Sequence, residues 1–219
     1  KNAGVVGLGG AGFPTHVKLN PPKDTPIDHI LINAAECEPY LTCDYRLMLE
    51  EPERIVRGLQ IMLKLHPNAK GVIGIEDNKP EAIKIMQDIA AKDDKCGDIV
   101  KVQVLPSRYP QGAEKMLIKR VMKRMVPSGG LPADVGCVVA NVSTTKAISD
   151  AIQKGMPLIE RVVSVTGEKV KNPGNFIVKI GTNSKDLIDY CGGVTDDDVT
   201  YKAGGQMMGF VLSDTNVPI

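Results

Sequence analysis

Residues 7–18 read GLGGAGFPTHVK, and the meaning of those glycines decides the fold. Gly7, Gly9 and Gly12 satisfy G-x-G-x-x-G, a spacing at which backbone without Cβ atoms can approach a phosphate while the next helix presents its amides. In the standard dinucleotide-binding unit such glycines follow a good strand, open a long helix and are answered by an acidic residue about 20 positions later. Here the preceding strand is at most AGVV, and Pro21 and Pro22 cut the following helix to about two turns. The stretch therefore predicts a glycine loop of another kind, with Gly10 as an additional member and Lys18 within reach of a phosphate or a ring carbonyl. A purely structural turn would not need this much glycine.

Outward from the loop, short Val/Ile-rich runs alternate with helix-length amphipathic segments, the sequence form of a parallel sheet covered by helices. Strands are expected at 29–32, 71–76, 99–105 and 137–140, and helices at 52–65, 80–92, 111–125 and 143–154. Pro52 and Pro80 suit a first helical position, and Ser143 and Thr144 follow a strand directly, where a hydroxyl can cap a helix. The texture changes at 155–157. Residues 161–166 and 176–180 are β-patterned around the segment GEKVKNPGN, a helix-like SKDLIDYCGG follows, and KAGGQMMGFVLSD offers one more strand. The expected organisation is an α/β domain over 1–157, a small β-rich unit over 158–205 and a C-terminal return segment over 206–219.

Three further constellations sit where expected strands end, the place at which open parallel sheets bind ligands. After the first strand come Asn33, Glu36, Cys37 and Glu38; an amide suits the polar edge of a heterocycle and a carboxylate suits ribose hydroxyls, although as plain loop charges the two glutamates would have no such role. After the third come Tyr109, Gly112 and Glu114, an aromatic face beside a glycine that permits close approach. After the fourth come Asn141 and Thr144 at a helix start. Four polar, glycine-rich strand ends in register describe a pocket. Asp24 and Asp28 read as ordinary solvated residues.

The remaining composition narrows the chemistry. With 27 Lys+Arg against 26 Asp+Glu there is no global field to recruit nucleic acid, and no apolar run approaches the ~20 residues of a membrane helix. The start KNAGVVG has no signal-peptide form and no Met, and reads as that of an excised fragment. Cys37, Cys43, Cys96, Cys137 and Cys191 are odd in number and scattered, which fits reduced thiols in a cytoplasmic setting; Cys37 and Cys43 lack the partners that would complete a metal site. His16, His29 and His66 are dispersed, and neither a G-x-S-x-G elbow nor a GK[ST] lysine motif occurs, so acyl and phosphoryl transfer have no machinery. A flavin site fits this poverty, because the cofactor brings the chemistry and the protein positions it.

In order and spacing, GLGGAGFPTHVKL, NAAECEP, YPQGAEK and ANVSTT resemble the flavin-carrying, NADH-oxidising subunit of respiratory complex I. With PSGGLPADVG, VTGEKVKNPGNFIVKIGT and GGQMMGFVLSDTNVPI the whole chain is similar to the RnfC family of Rnf electron transport complexes. The resemblance implies a Rossmann-like parallel sheet with helices on both faces, followed by a small β-grasp unit of the SLBB type. It implies FMN held by Gly7, Gly9, Gly10 and Lys18, with Phe13 facing the nicotinamide nucleotide. It carries Asn33, Glu36 and Glu38 over as binding residues, Glu38 at the NADH, together with Tyr109, Gly112, Glu114, Asn141 and Thr144. Complex I has an acidic residue where Ala113 stands, an Arg at Leu8, an aromatic at Leu19 and a stacking Phe for which only Leu131 is nearby.

The implied function is flavin-dependent electron transfer between NAD(H) and iron-sulfur carriers, by a peripheral subunit on the cytoplasmic face of a membrane-bound, ion-translocating ferredoxin:NAD oxidoreductase. Its partners would be the other subunits and, indirectly, ferredoxin. Four-iron four-sulfur clusters are expected beyond Ile219, in a ferredoxin-like domain. A soluble reductase of the same layout, such as a cobalamin reductase or a proline-reductase electron donor, and a non-catalytic docking module are the other readings.

Overall fold

The computed structural model describes residues 1–94 and 96–219. Four parallel strands, β1 (His29–Ala34), β2 (Lys70–Glu76), β3 (Val100–Leu105) and β4 (Cys137–Asn141), lie in the order β3-β2-β1-β4. Register is unbroken: Ile30, Leu31 and Ile32 pair with Gly71, Val72 and Ile73 on one side and with Val138, Val139 and Ala140 on the other. Because side chains alternate across a strand, the apolar runs split between two cores. Ile30, Ile32, Ile73 and Ile75 face α2 (Cys43–Glu50), α3 (Pro52–Leu65), α4 (Pro80–Lys92) and α6 (Val142–Gln153), where Met48, Leu59, Met62 and Met86 are fully buried. Leu31, Val72, Leu105 and Val139 face α5 (Glu114–Met122) through Leu117 and Ile118. Helices thus cover both faces of an α/β sheet, four against one. Each buried aliphatic contributes roughly 1.5–3 kcal/mol.

α3 and α4 open on Pro52 and Pro80, where a missing N–H costs nothing. α3 and α6 cross so closely that a Cβ on Gly58 would overlap the Thr145 carbonyl. α5 is shorter than the expected 111–125, because residues 110–113 form a turn and Lys123 ends the helix in a left-handed conformation, φ 59°. α2 was not expected, since Cys43–Glu50 abuts the Pro52 helix in the sequence without a loop signal between them. The stretch after the glycine loop forms α1 (Thr15–Lys18), a single turn, and the segment before it makes only a bridge from Val6 to Pro14. Asp28 is no ordinary solvated residue. At the amino end of β1 it receives both terminal nitrogens of Arg124 at 2.6 and 2.8 Å, which hold its carboxyl below the usual range.

Beyond α6, β5 (Glu160–Val165) pairs antiparallel with β6 (Gly174–Lys179) and α7 (Ser184–Tyr190) follows; Val178, Leu187 and Cys191 are buried in this part of the chain. Tyr190 meets Phe176 edge-on, centroids 5.6 Å apart. β7 (Lys202–Ala203) and β8 (Phe210–Val211) form a short hairpin, two strands where one was expected, and Val217 and Ile219 return to pair with Ser184 and Gly181. No helix among the described residues is long and apolar enough to cross a membrane.

Candidate functional site

All four loops singled out in the sequence meet at the carboxyl ends of the strands, and they are tied to one another by side chains. The Leu8 N–H of the glycine loop donates to Thr144 Oγ1 at 2.8 Å, and Thr144 is buried. Lys18 Nζ, on α1, reaches Glu114 Oε1 at 2.7 Å and the Val139 carbonyl at 3.0 Å, joining the glycine loop to α5 and β4. Asn33 Nδ2 donates to the Gly112 carbonyl at 2.7 Å. The Tyr109 hydroxyl donates to Glu38 Oε1 at 3.0 Å, a second tie between the loops after β1 and β3. Gly112 is obligatory: a Cβ there would overlap the Ala35 carbonyl.

Within the glycine loop, Gly7 donates to the Phe13 carbonyl at 2.8 Å and Gly9 presses against the Asn141 side chain. Gly10, at φ 123°, has nothing within 4 Å of where a Cβ would stand, so the loop turns a bare backbone surface outward. Phe13 beside it is 47% exposed. Asn141 caps α6, accepting the Ser143 N–H at 2.8 Å, and the positive end of this 12-residue helix points into the same region. A partly exposed ammonium, a bare glycine surface and a helix N-terminus suit an anionic phosphate ester; Tyr109 and Phe13, both partly exposed, suit a planar ring. The residues present fit a flavin mononucleotide.

Two carboxylates behave differently from one another. Glu38, half-buried, is bonded by the partly exposed Tyr109, whereas Glu36 turns inward and accepts the Asp44 and Tyr45 N–H groups at 2.9 and 3.2 Å, capping α2. Burial, helped by the Asp44 carboxylate, raises the Glu36 carboxyl from its ordinary value to about 7. Loss of solvent contact also raises the half-buried Asp44 carboxyl, while Asn141 Nδ2 at 2.6 Å and Ser143 Oγ at 2.8 Å donate to it and hold it in place. Burial likewise pushes Cys43 up to about 12; its thiol donates to Glu36. Cys37 accepts the Gly112 N–H at 3.3 Å, so both nearby cysteines serve the loops as small polar spacers.

Several contributors were missed in the sequence. Asp44 sits on the unexpected α2. Glu76 and Lys79, 3.8 Å apart and nearly buried, form a fifth strand-end group after β2, with Lys79 Nζ 3.5 Å from the Glu36 carbonyl; EDNKP is their only signal. Arg161 on β5 donates to the Leu8 carbonyl at 3.2 Å, and Met207 donates to Glu38 from the β7–β8 turn; they lie 153 and 169 residues from their partners and carry no motif. A small cavity of about 30 Å³ lies behind the glycine loop, between α6 and β5, lined by Leu8, Ser143, Asp150 and Arg161. It is large enough to admit water. Among the described residues, Asp150 Oδ1, which keeps ion pairs with Arg54 and Lys154, and Arg161 Nε have no hydrogen-bond partner.

Comparison with known proteins identifies the family. The family model of the Nuo51 FMN-binding domain matches residues 1–150, and that of the SLBB domain matches residues 162–211. The chain is 53% identical to the C component of the proton-translocating ferredoxin:NAD(+) oxidoreductase complex of Clostridium ljungdahlii, over all of this chain and 47% of that protein. It is 44% identical to the Na(+)-translocating counterpart of Acetobacterium woodii, over 100% and 48%, and 42% identical to the C component of the ion-translocating oxidoreductase complex of Rhodobacter capsulatus, over 99% and 41%. The chain therefore spans about half the length of the curated relatives it matches. Among solved structures, an NAD+-reducing [NiFe]-hydrogenase in the air-oxidized state superposes with a TM-score of 0.78 over the whole of this chain and 42% of that one; at 22% identity the likeness is one of fold.

Proposed function

Because the chain belongs to the Nuo51 FMN-binding family, we propose that it carries FMN on its four loops and passes electrons between NAD(H) and iron-sulfur carriers. It would do so as the peripheral subunit of an ion-translocating ferredoxin:NAD oxidoreductase complex on the cytoplasmic face of a membrane. The names of its relatives support the complex, and the mutual tying of the four loops through Thr144, Lys18, Asn33 and Tyr109 carries the flavin reading.

FMN supplies, when bound, a ring that takes a hydride as an electron pair and returns electrons singly. The protein's task is then to bind, orient and exclude. Gly7, Gly9 and Gly10 give the flavin backbone surface, Lys18 and the α6 start with Asn141 and Thr144 give it positive charge, and Asn33 and Gly112 set the wall between β1 and β3. Glu114 keeps Lys18 aimed. Phe13 and Tyr109 offer ring faces, and Glu38 receives ribose hydroxyls of the nicotinamide nucleotide. Glu36, turned inward, holds α2 rather than ligand. Hydride transfer needs no protein acid or base, so the loops have only to bind and orient. The α/β unit over 1–157 is the flavin carrier; the β-grasp unit over 158–205 and the return segment over 206–219 complete its rim.

The test is anaerobic: the chain is loaded with FMN and NADH is added. Loss of the oxidised flavin absorbance on mixing is expected; a chain that takes up FMN but leaves it oxidised under excess NADH would refute the nicotinamide half of the proposal.

A further inference from the structure

The β7–β8 hairpin touches the site at one side chain. The Met207 N–H donates to Glu38 Oε2 at 2.8 Å across 169 residues of sequence, while Tyr109 holds Oε1. Gly205 is buried, and a Cβ on it would stand inside the Glu38 carboxylate. The turn is shaped for that approach. Gly204 takes φ 91°, Gly209 N–H closes onto the Gly205 carbonyl at 2.7 Å, and Lys202 Nζ secures the Gln206 carbonyl at 3.0 Å. Apolar packing does not explain the docking, because Met207, Met208, Phe210 and Val211 all remain exposed. A backbone amide and a glycine surface therefore meet a half-buried carboxylate whose other oxygen Tyr109 already holds.

We infer that the β7–β8 hairpin is a positioning element of the nicotinamide-nucleotide site, fixing Glu38 so that its remaining lone pairs face the ribose hydroxyls of the incoming nucleotide. This rests on the role given to Glu38 above. A carboxylate has about four acceptor positions, and Met207 and Tyr109 occupy one on each oxygen, so two stay free for a vicinal diol. Holding both oxygens removes the rotamer freedom that nucleotide binding would otherwise have to quench. The hairpin should thus govern nucleotide affinity and leave flavin affinity alone.

The experiment measures NAD+ binding calorimetrically in the FMN-loaded chain, FMN binding in the apo chain, and amide hydrogen exchange at Met207. Gly205→Ala, which drives a methyl group into the carboxylate, and Met207→Pro, which removes the donor, are expected to weaken NAD+ at least about tenfold and to raise KM for NADH with kcat retained. FMN affinity should stay within about twofold, and Glu38→Gln should speed exchange at Met207 while NAD+ slows it. Unchanged NAD+ affinity in both variants, with the native chain binding normally, would overturn the hairpin's role and leave the flavin and nucleotide reading intact. A native chain that does not bind NAD+ at all would overturn both. Circular dichroism separates either result from misfolding, and equal loss of FMN and NAD+ would reduce the hairpin to a structural prop.

Discussion

β2 and β5 have similar length and composition, KGVIGIE against ERVVSV, and opposite surroundings. Six of the seven residues of β2 are buried between helices on both faces, whereas no residue of β5 is buried. The α/β unit folds around its own two cores. The β5–β6 unit buries few apolar side chains, Val178, Leu187 and Cys191, and reaches the first unit through Val162, which packs on the large core, and through a set of polar contacts. Those contacts fall on the loops of the site. Arg161 meets Leu8, Ser164 and Asn175 meet Thr42, Glu168 meets Tyr40 at 3.3 Å, and Met207 meets Glu38. The second unit is therefore a rim whose attachment and the site's geometry are the same set of bonds, and local opening should begin there.

The contrast can be broken most forcefully at Gly58. Gly58→Val thrusts a branched side chain into the Thr145 carbonyl where α3 crosses α6, and should cost about 3 kcal/mol or more in denaturant unfolding, or prevent folding. Next in size, Leu59→Ala in the large core should cost about 2–5 kcal/mol, while Ile177→Ala, on an exposed position of β6, should cost less than about 0.5 kcal/mol in the same assay. Equal losses would mean that the two units share one core after all.

Glu36→Gln probes the seam through pH. Its carboxyl titrates near 7 in the folded chain, above its ordinary value, chiefly because burial penalises the charge. A raised carboxyl favours the folded state at low pH, and that contribution is lost as pH rises through 7. The native Tm should accordingly fall between about pH 5 and pH 8, and the Gln variant should fall less; parallel profiles would contradict the buried, protonatable Glu36. A loss well below that of Leu59→Ala is expected for Arg161→Met, which removes one hydrogen bond to the Leu8 carbonyl and should cost about 1 kcal/mol of stability, read as a shift in thermal unfolding.

The same contrast explains what the sequence could reveal. Buried parallel strands announce themselves as Val/Ile runs, and Pro52 and Pro80 mark helix starts, so the four strands and α3, α4 and α6 were legible to within two residues, whereas α2 was missed and α5 drawn too long. Gly10, Gly12 and Gly112 were legible too, because the first two take positive φ and a Cβ on the third would overlap the Ala35 carbonyl. Asp44, Glu76, Lys79 and Arg161 were not. Each is an ordinary charged residue whose meaning comes from burial beside another loop, and neither periodicity nor spacing encodes a partner far along the chain. Asp28 failed in the other direction: a loop carboxylate in sequence, it clamps Arg124 at the end of the sheet remote from the site.

That remote pair supplies the control for the most direct measurement, a fluorescence titration of the apo chain with FMN. One equivalent should bind with quenching; Lys18→Met and Gly112→Ala should each weaken it at least about tenfold, and Arg124→Met should lower stability without changing FMN affinity. A native chain indifferent to FMN, or an Arg124 variant that loses it as severely as the Lys18 variant, would contradict a flavin pocket at the carboxyl ends of the strands.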